Sequence, residues 1–318
     1  VKELFSLIPP RVLTLSLTEL QNLALGFFAT SIGNLSFVVI KLALKLMAIP
    51  IRLFGVPISQ ASLPFLSQES SEASLQKFKK LVVQSLNQIS FLAFPAAVLL
   101  LILRIPIVRL VYGTHNFPWR KTIMTGRAVA IIALSVGAQA MVQLLIRAFH
   151  ALKDTLTPFL IIASTVIVYL GSSWLFVFRL NSDVTGLAWA TTIVALIELG
   201  FFLFFLEKKV NNLILNKNFL LPQLKILVSS FLMAVFLYLP FRIFDELIFD
   251  TSRTVELIAL TVTTSTIGIL VYIYLSFLLD IKEVRHLIRL VNRFGRWQEP
   301  LAESEEVLID GNPEGDEV

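Results

Sequence analysis

The chain has 318 residues, 56% of them hydrophobic and 15% charged, with a net charge of +5 and a mean hydropathy of +0.80. A soluble domain carries about 45–50% apolar and about 25% charged residues, so a single water-soluble core is excluded and an all-α, polytopic membrane protein is implied. There is no cysteine, which excludes disulfides and thiolate metal sites. His115, His150 and His286 are scattered without ligand spacing, so no metal or other cofactor is expected.

A spanning helix needs about 20 mainly apolar residues. Eight intervals qualify: 12–31, 35–65, 81–112, 123–148, 157–179, 186–206, 223–243 and 255–279. The start at Val1, with no signal-peptide pattern ahead of the first interval, leads to the expectation of a fragment. The second interval is interrupted by Pro50, Pro57 and Pro64 and the third by Pro95 and Pro106, which predicts bends. Between them, 67–80 reads as a polar loop with a short amphipathic helix that Ser71 and Ser74 can cap. Past the last interval, 281–297 has apolar residues at helical spacing and a basic face. It is read either as an interfacial helix or as a solvated continuation of the last span. Residues 298–318 are acidic and read as a disordered tail.

Basic residues divide unevenly between the two sets of interval ends. One set carries Lys2, Arg11, Lys77, Lys79, Lys80, Lys153, Lys208, Lys209, Lys217, Lys225, Lys282, Arg285, Arg289, Arg293 and Arg296; the other carries Arg120, Lys121 and Arg253. The asymmetry predicts that both termini are cytoplasmic.

Polar residues inside the apolar intervals are the candidate functional groups. In "FVVIKLALKLMAIPIRLFGV" (37–56), Lys41, Lys45 and Arg52 occur with no acid among them. A cation near the centre of a span costs about 2.5–3.5 kcal/mol on insertion scales. At 100° per residue, Lys45 lies about 40° and Arg52 about 20° from Lys41, so the three share a face. Two readings stay open. Lys41 and Arg52 reach opposite interfaces while Lys45 pairs with Glu19 or Glu198, or the three line a water-filled cavity that attracts an anion such as phosphate. Thr18, Glu19, Gln21 and Asn22 in the first interval are too polar for lipid and are expected to face a cavity or a neighbouring helix. Arg104, Arg109 and Arg179 stand near interval ends and are expected to reach the interface. There is no glycine-rich phosphate loop, GxSxG or HExxH, so no enzyme is expected.

The most specific stretch is "LLIRAFHALKDTLTPFLIIAS" (144–164). It resembles the R-x-F-[YH]-A-L-x-D-T-x-T-P turn of the MurJ/MviN flippases, with Arg147, Phe149, His150, Ala151, Leu152, Asp154, Thr155, Thr157 and Pro158 at the motif positions. Asp154 and Thr155 can cap the following helix, and Pro158 suits its first turn. "LFGVPISQASLPFLSQ" (53–68), "FPAAVLLLILRIPIVRLVYGTHNF" (94–117) and "GLAWATT" (186–192) are similar to further family stretches.

The resemblance covers about residues 1–280 and implies a particular architecture. Residues 1–210 form the second six-helix lobe of a transporter of the multidrug/oligosaccharidyl-lipid/polysaccharide superfamily. Residues 211–280 form two extra helices that make a lipid-tail groove; the basic segment 281–297, taken as an interfacial helix, and the tail 298–318 lie beyond the resemblance. The first lobe is absent and is an implied partner. The implied function is flipping lipid II, an undecaprenyl-pyrophosphate-linked precursor, to the outer leaflet of the bacterial inner membrane. Membrane lipid is an implied partner and nucleic acid is not. Lys45 falls at the family's cavity-arginine position, with Lys41 and Arg52 as additional head-group cations, Leu44 in place of the preceding acid, and Glu19, Gln21 and Asn22 as cavity polar groups. The family's cation site uses an acid on the first helix and an Asn and an acid on the fifth; Leu25, Tyr169 and Ser173 stand at those positions, leaving Thr191 or Thr192, so sodium coupling through that site is not expected. The rival readings are an exporter of another polyprenyl-linked glycan or of drugs, and a lone lobe that acts as an interaction protein.

Overall fold

The computed structural model describes residues 2–70, 75–114, 117–211, 213, 217–244 and 254–285, with side chains from Leu13 onward. Among the described residues the regular structure is helical: α1 (Lys2–Ile32), α2 (Asn34–Pro50), α3 (Val56–Gln68), α4 (Leu75–Ile102), α5 (Arg104–Tyr112), α6 (Trp119–Ala133), α7 (Val136–Ala151), α8 (Leu156–Trp174), α9 (Val184–Val210), α10 (Lys217–Ile243) and α11 (Thr254–Leu278). Two π turns, Ile51–Gly55 and Leu175–Arg179, join α2 to α3 and extend α8.

Five of these elements are long and apolar enough to cross a membrane: α4, α8 with its π extension, α9, α10 and α11. The pair α6–α7, bent by 51°, makes a sixth if it is one crossing. The other two sequence intervals are α1 and the α2–π–α3 run. The first is diluted by Thr18, Glu19, Gln21 and Asn22, and the second is broken at Pro50 and carries three cations.

Breaks follow the backbone chemistry. Pro50 has no N–H for the Leu46 carbonyl, and beyond it the Val56 N–H bonds back five residues to Ile51. Before Pro106 the chain breaks at Leu103, and the Arg104 guanidinium turns back to the Leu101 carbonyl at 3.3 Å. Residues from Leu75 are the first turns of α4 rather than a separate amphipathic helix, because Phe78 is fully buried and ties this end to the core. The caps expected from Ser71 and Ser74, most of 281–297, and the tail 298–318 lie outside the described residues. The start of the basic segment does not continue α11. Asp280 is left-handed (φ 52°), the Ile281 N–H closes on the Ser276 carbonyl, and Ile281 and Val284 turn back into the core.

Helices α1 to α9 pack around two apolar clusters. One is centred on α4, α7 and the end of α9 (Phe78, Leu86, Phe149, Phe202) and the other on α2, α6 and the start of α9 (Ile40, Leu46, Ile132, Leu187). A third cluster joins α4 to α10 and α11 through Phe91, Ile226, Met233, Leu237 and Tyr272. Gly268 lets α11 approach α10 closely, since a Cβ there would stand 2.9 Å from Met233 Cε and 3.0 Å from Leu237 Cδ2.

Candidate functional site

Helix α2 packs one face and leaves the other free. Its buried residues Val39, Ile40, Ala43, Leu46, Met47 and Pro50 fall within about 60° of one direction at 100° per residue, while Lys41 and Lys45 fall about 160° and 200° from it. Lys45 and Arg52 are exposed, and Lys41 is half-buried with its ammonium 5.8 Å from the Phe37 ring centroid. From Lys41 to Arg52 the row of charge rises about 16 Å. Among the described residues Lys45 has no ion pair with Glu19 or Glu198. Glu19 is exposed and accepts a long 3.5 Å contact from the Asn22 amide, and Gln21 is half-buried.

The π turn that ends this cationic face is held from α7. The Arg147 guanidinium donates to the Val56 carbonyl at 2.9 Å. Gly55 lies against the α7 backbone, where a Cβ would stand 3.0 Å from Ala140 Cα and 3.1 Å from its carbonyl oxygen. Arg147 therefore works as a clamp across two helices, a contact that 91 residues of sequence separation hide from any local pattern.

The remaining motif residues build the α7–α8 turn. Lys153 is left-handed (φ 57°), and the Asp154 N–H closes on the Phe149 carbonyl at 3.0 Å. Asp154 accepts from the Thr157 N–H at 3.0 Å and its hydroxyl at 2.7 Å, and pairs with Lys209 Nζ at 2.6 Å. Partial burial alone raises the Asp154 carboxyl, but the Lys209 and Thr157 hydrogen bonds outweigh it and hold the group below its ordinary value. Thr155 occupies the cap position of α8 without a side-chain cap bond, so Asp154 alone of the two expected residues caps the helix. Pro158 is buried in the first turn, and Phe149 is buried with its ring 5.9 Å from Phe202.

Leu25, Tyr169 and Ser173, the positions that the sequence resemblance matched to a family cation site, are all buried. The polar neighbours of the Tyr169 hydroxyl are Ser173 and Thr191, none at full bonding distance. Thr192 is spent on the backbone, donating to the Ala188 carbonyl and, at 3.0 Å, to the Ile131 carbonyl beside the α6–α7 bend. The position offers hydroxyls and no carboxylate.

The hairpin α10–α11 is fastened to α4 by polar side chains. Gln223 Nε2 donates to Asn87 Oδ1 at 3.0 Å, and the Tyr272 hydroxyl donates to the Phe91 carbonyl at 2.8 Å. Phe91 is four residues before Pro95, so its carbonyl has no helical N–H to accept. The proline was the available sequence signal, but it does not say which side chain would answer it.

A family profile described as lipid II flippase MurJ matches residues 1–273. A probable lipid II flippase MurJ of Bdellovibrio bacteriovorus is 26% identical over 280 residues, covering 88% of this chain and 52% of the relative. The chain thus spans about half the length of the curated relatives it matches across most of its residues. In fold, it is similar to a solved lipid II flippase MurJ in an inward closed conformation (TM-score 0.63, 22% identity, 85% of this chain and 53% of that one). It also resembles an outward-facing multidrug resistance MATE family transporter of the MOP superfamily (TM-score 0.54, 14% identity, 90% and 67%). With the profile spanning nearly all of the described helices, the chain belongs to the lipid II flippase MurJ family.

Proposed function

We propose that this chain is the cation-bearing half of a lipid II flippase, carrying the lipid-linked peptidoglycan precursor from the cytoplasmic to the outer leaflet. Members of this family are multi-pass membrane proteins of bacteria and transporters. The observation that carries the finer reading is the cationic face of α2. Three positive charges stand away from the helix's own packing, and among the described residues Lys45 has no acid paired with it. Unpaired cations within a membrane protein are costly unless water or an anion meets them, and a pyrophosphate head group is such an anion.

On this reading Lys45 binds the head group, with Lys41 and Arg52 adding field along the same path. Glu19, Gln21 and Asn22 line the cavity. Arg147 and Gly55 set the position of the π turn that carries Arg52. The prenyl tail runs along α10–α11, whose outward faces carry Phe231, Leu239, Phe277 and Leu278. A six-helix lobe closes the cavity from the other side, and both termini face the cytoplasm. No bond is made or broken, so the work of the residues is to neutralise charge while the head group crosses.

The test is complementation of cells depleted of their flippase by the full-length protein that carries this chain. Lys45→Ala abolishes growth at a normal protein level, and Lys45→Arg restores it. Full growth from alanine variants at positions 41, 45 and 52 alike overturns the head-group site.

A further inference from the structure

Glu198 is an acid in the middle of α9, which is among the most apolar of the spans. It lies roughly 18–21 Å from either end of the helix, near the centre of a hydrocarbon core about 30 Å thick. The residues four before and four after it, Val194 and Phe202, are both buried, so the carboxylate stands on the packed face and is itself half-buried. Thr191 lies about 20° from it around the helix.

The helices packed on α9 offer it no counter-charge. Arg127 on α6 is exposed, and Arg147 on α7 is committed to the Val56 carbonyl. His150 is near the α7–α8 turn, and Tyr169 on α8 neighbours Ser173 and Thr191. Glu19 on α1 and Lys45 on α2 are exposed, and Lys41 sits over Phe37. Among the described residues Glu198 has no hydrogen bond or ion pair with any of these.

We propose that Glu198 is a proton-binding site in the membrane interior. A lone carboxylate in an apolar span is costly, and binding a proton removes the charge without any partner. A metal cation is a poorer occupant. Hard cations take about six oxygen ligands, and among the described residues no cluster of three or more acids or histidines exists to supply them. Its place on α9, on the Thr191 face, puts the proton on a helix that packs against α6, α7 and α8 at once, so protonation changes a charge at the centre of the lobe. The consequence for transport, a cycle sensitive to a proton gradient, rests on the flippase reading; the binding itself does not.

The experiment uses the full-length protein in liposomes without substrate, treated with a hydrophobic carbodiimide that modifies protonated carboxyls, and maps the modified residue by mass spectrometry. Glu198 is expected to react several-fold faster at about pH 6 than at about pH 9, and Glu198→Gln to lose that modification. No reaction at Glu198 at any pH in protein whose Glu19 reacts, or equal reaction at both pH values, overturns the proposal. The wild-type chain alone decides this, so a variant that fails to fold does not obscure it. Lipid II flux is measured in the same liposomes. Absent flux beside pH-dependent labelling sinks the flippase reading and upholds the proton site.

Discussion

The α2 helix and the α10–α11 hairpin both place polar side chains in apolar surroundings, and they use them in opposite ways. On the hairpin side Gln223 meets Asn87 and Tyr272 meets the carbonyl that Pro95 leaves open, so both side chains are used internally. On α2 the packing face is mainly apolar, and Lys45 on the face beyond it, with Arg52 on the π turn that follows, is exposed. Polar groups that satisfy one another in a membrane fasten helices. Charges left over on a helix's unpacked face are the ones available to a ligand. Substitutions therefore have separate signatures in the two regions, loss of transport in one and loss of stability in the other.

The largest effect is expected at Lys45. Removing a hydrogen bond to a charged group costs about 1.5–3 kcal/mol, or about ten- to hundredfold in head-group affinity. Lys45→Ala should lower lipid II binding by that factor while leaving thermal stability unchanged, since the side chain is exposed. Lys41→Ala should be milder in binding and slightly costly in stability, because its ammonium rests over Phe37. A Lys45→Ala protein that unfolds earlier but binds normally would place this lysine with the fastening groups and dissolve the contrast.

Next comes Gly55→Ala. The added methyl would meet Ala140 at 3.0–3.1 Å, touching its Cα and carbonyl oxygen as well as its Cβ. Overpacking of this kind costs about 1–3 kcal/mol, read as a lower unfolding temperature in detergent. Ala140→Gly in the same protein should recover only part of the loss, because the Cα and carbonyl remain in place. Full recovery would mean that the helices meet through the methyl alone.

Much of the helical layout was legible because lipid demands long apolar runs. The intervals 157–179 and 255–279 lie within a few residues of α8 with its π turn and α11. The start of α4 was not, since Lys77, Lys79 and Lys80 read as the end of a separate short amphipathic helix, while Phe78 between them is buried in the core. The α6–α7 bend at Leu134–Ser135 was missed because it has no proline to mark it. The cationic face of α2 was readable from helical period alone. The clamp on its π turn was not, because the motif that contains Arg147 does not name its target on another helix. Thr155 was named as a cap on residue type, yet Asp154 already satisfies the Thr157 N–H.

A smaller effect is expected at Asp154, which contrasts with Lys45 as a charge that is fully engaged. Its carboxyl lies below its ordinary value of 3.8 in the folded protein, so it binds its proton less tightly there than in the unfolded chain. The stabilisation is present above that ordinary value and is lost as pH falls through the lowered one. Asp154→Ala should cost about 1 kcal/mol at neutral pH through the lost cap. The Lys209 pair adds little to this, as Lys209 is 40% exposed. The difference between parent and variant should shrink as the medium is taken below about pH 3. A difference that stays constant across that range would show that the carboxylate's charge is not what stabilises the turn.

The smallest effect and the sharpest test of fastening lie at Tyr272. Its hydroxyl serves the Phe91 carbonyl at 2.8 Å, and that carbonyl lacks a helical partner because Pro95 has no N–H. Tyr272→Phe keeps the buried ring, 5.2 Å from Phe91, and removes only the donor. Interhelical hydrogen bonds in membrane proteins average about 0.6 kcal/mol, so the single variant should lose about that much stability and no transport. Pro95→Ala restores a backbone N–H to the same carbonyl. In that background Tyr272→Phe should cost less than in the parent, giving a positive coupling between two residues that are never in the same helix. If the hydroxyl matters equally with and without Pro95, it is held by its neighbours on α10 and α11 rather than by the gap in α4. The hairpin's attachment would then rest on Asn87, Gln223 and apolar contact alone.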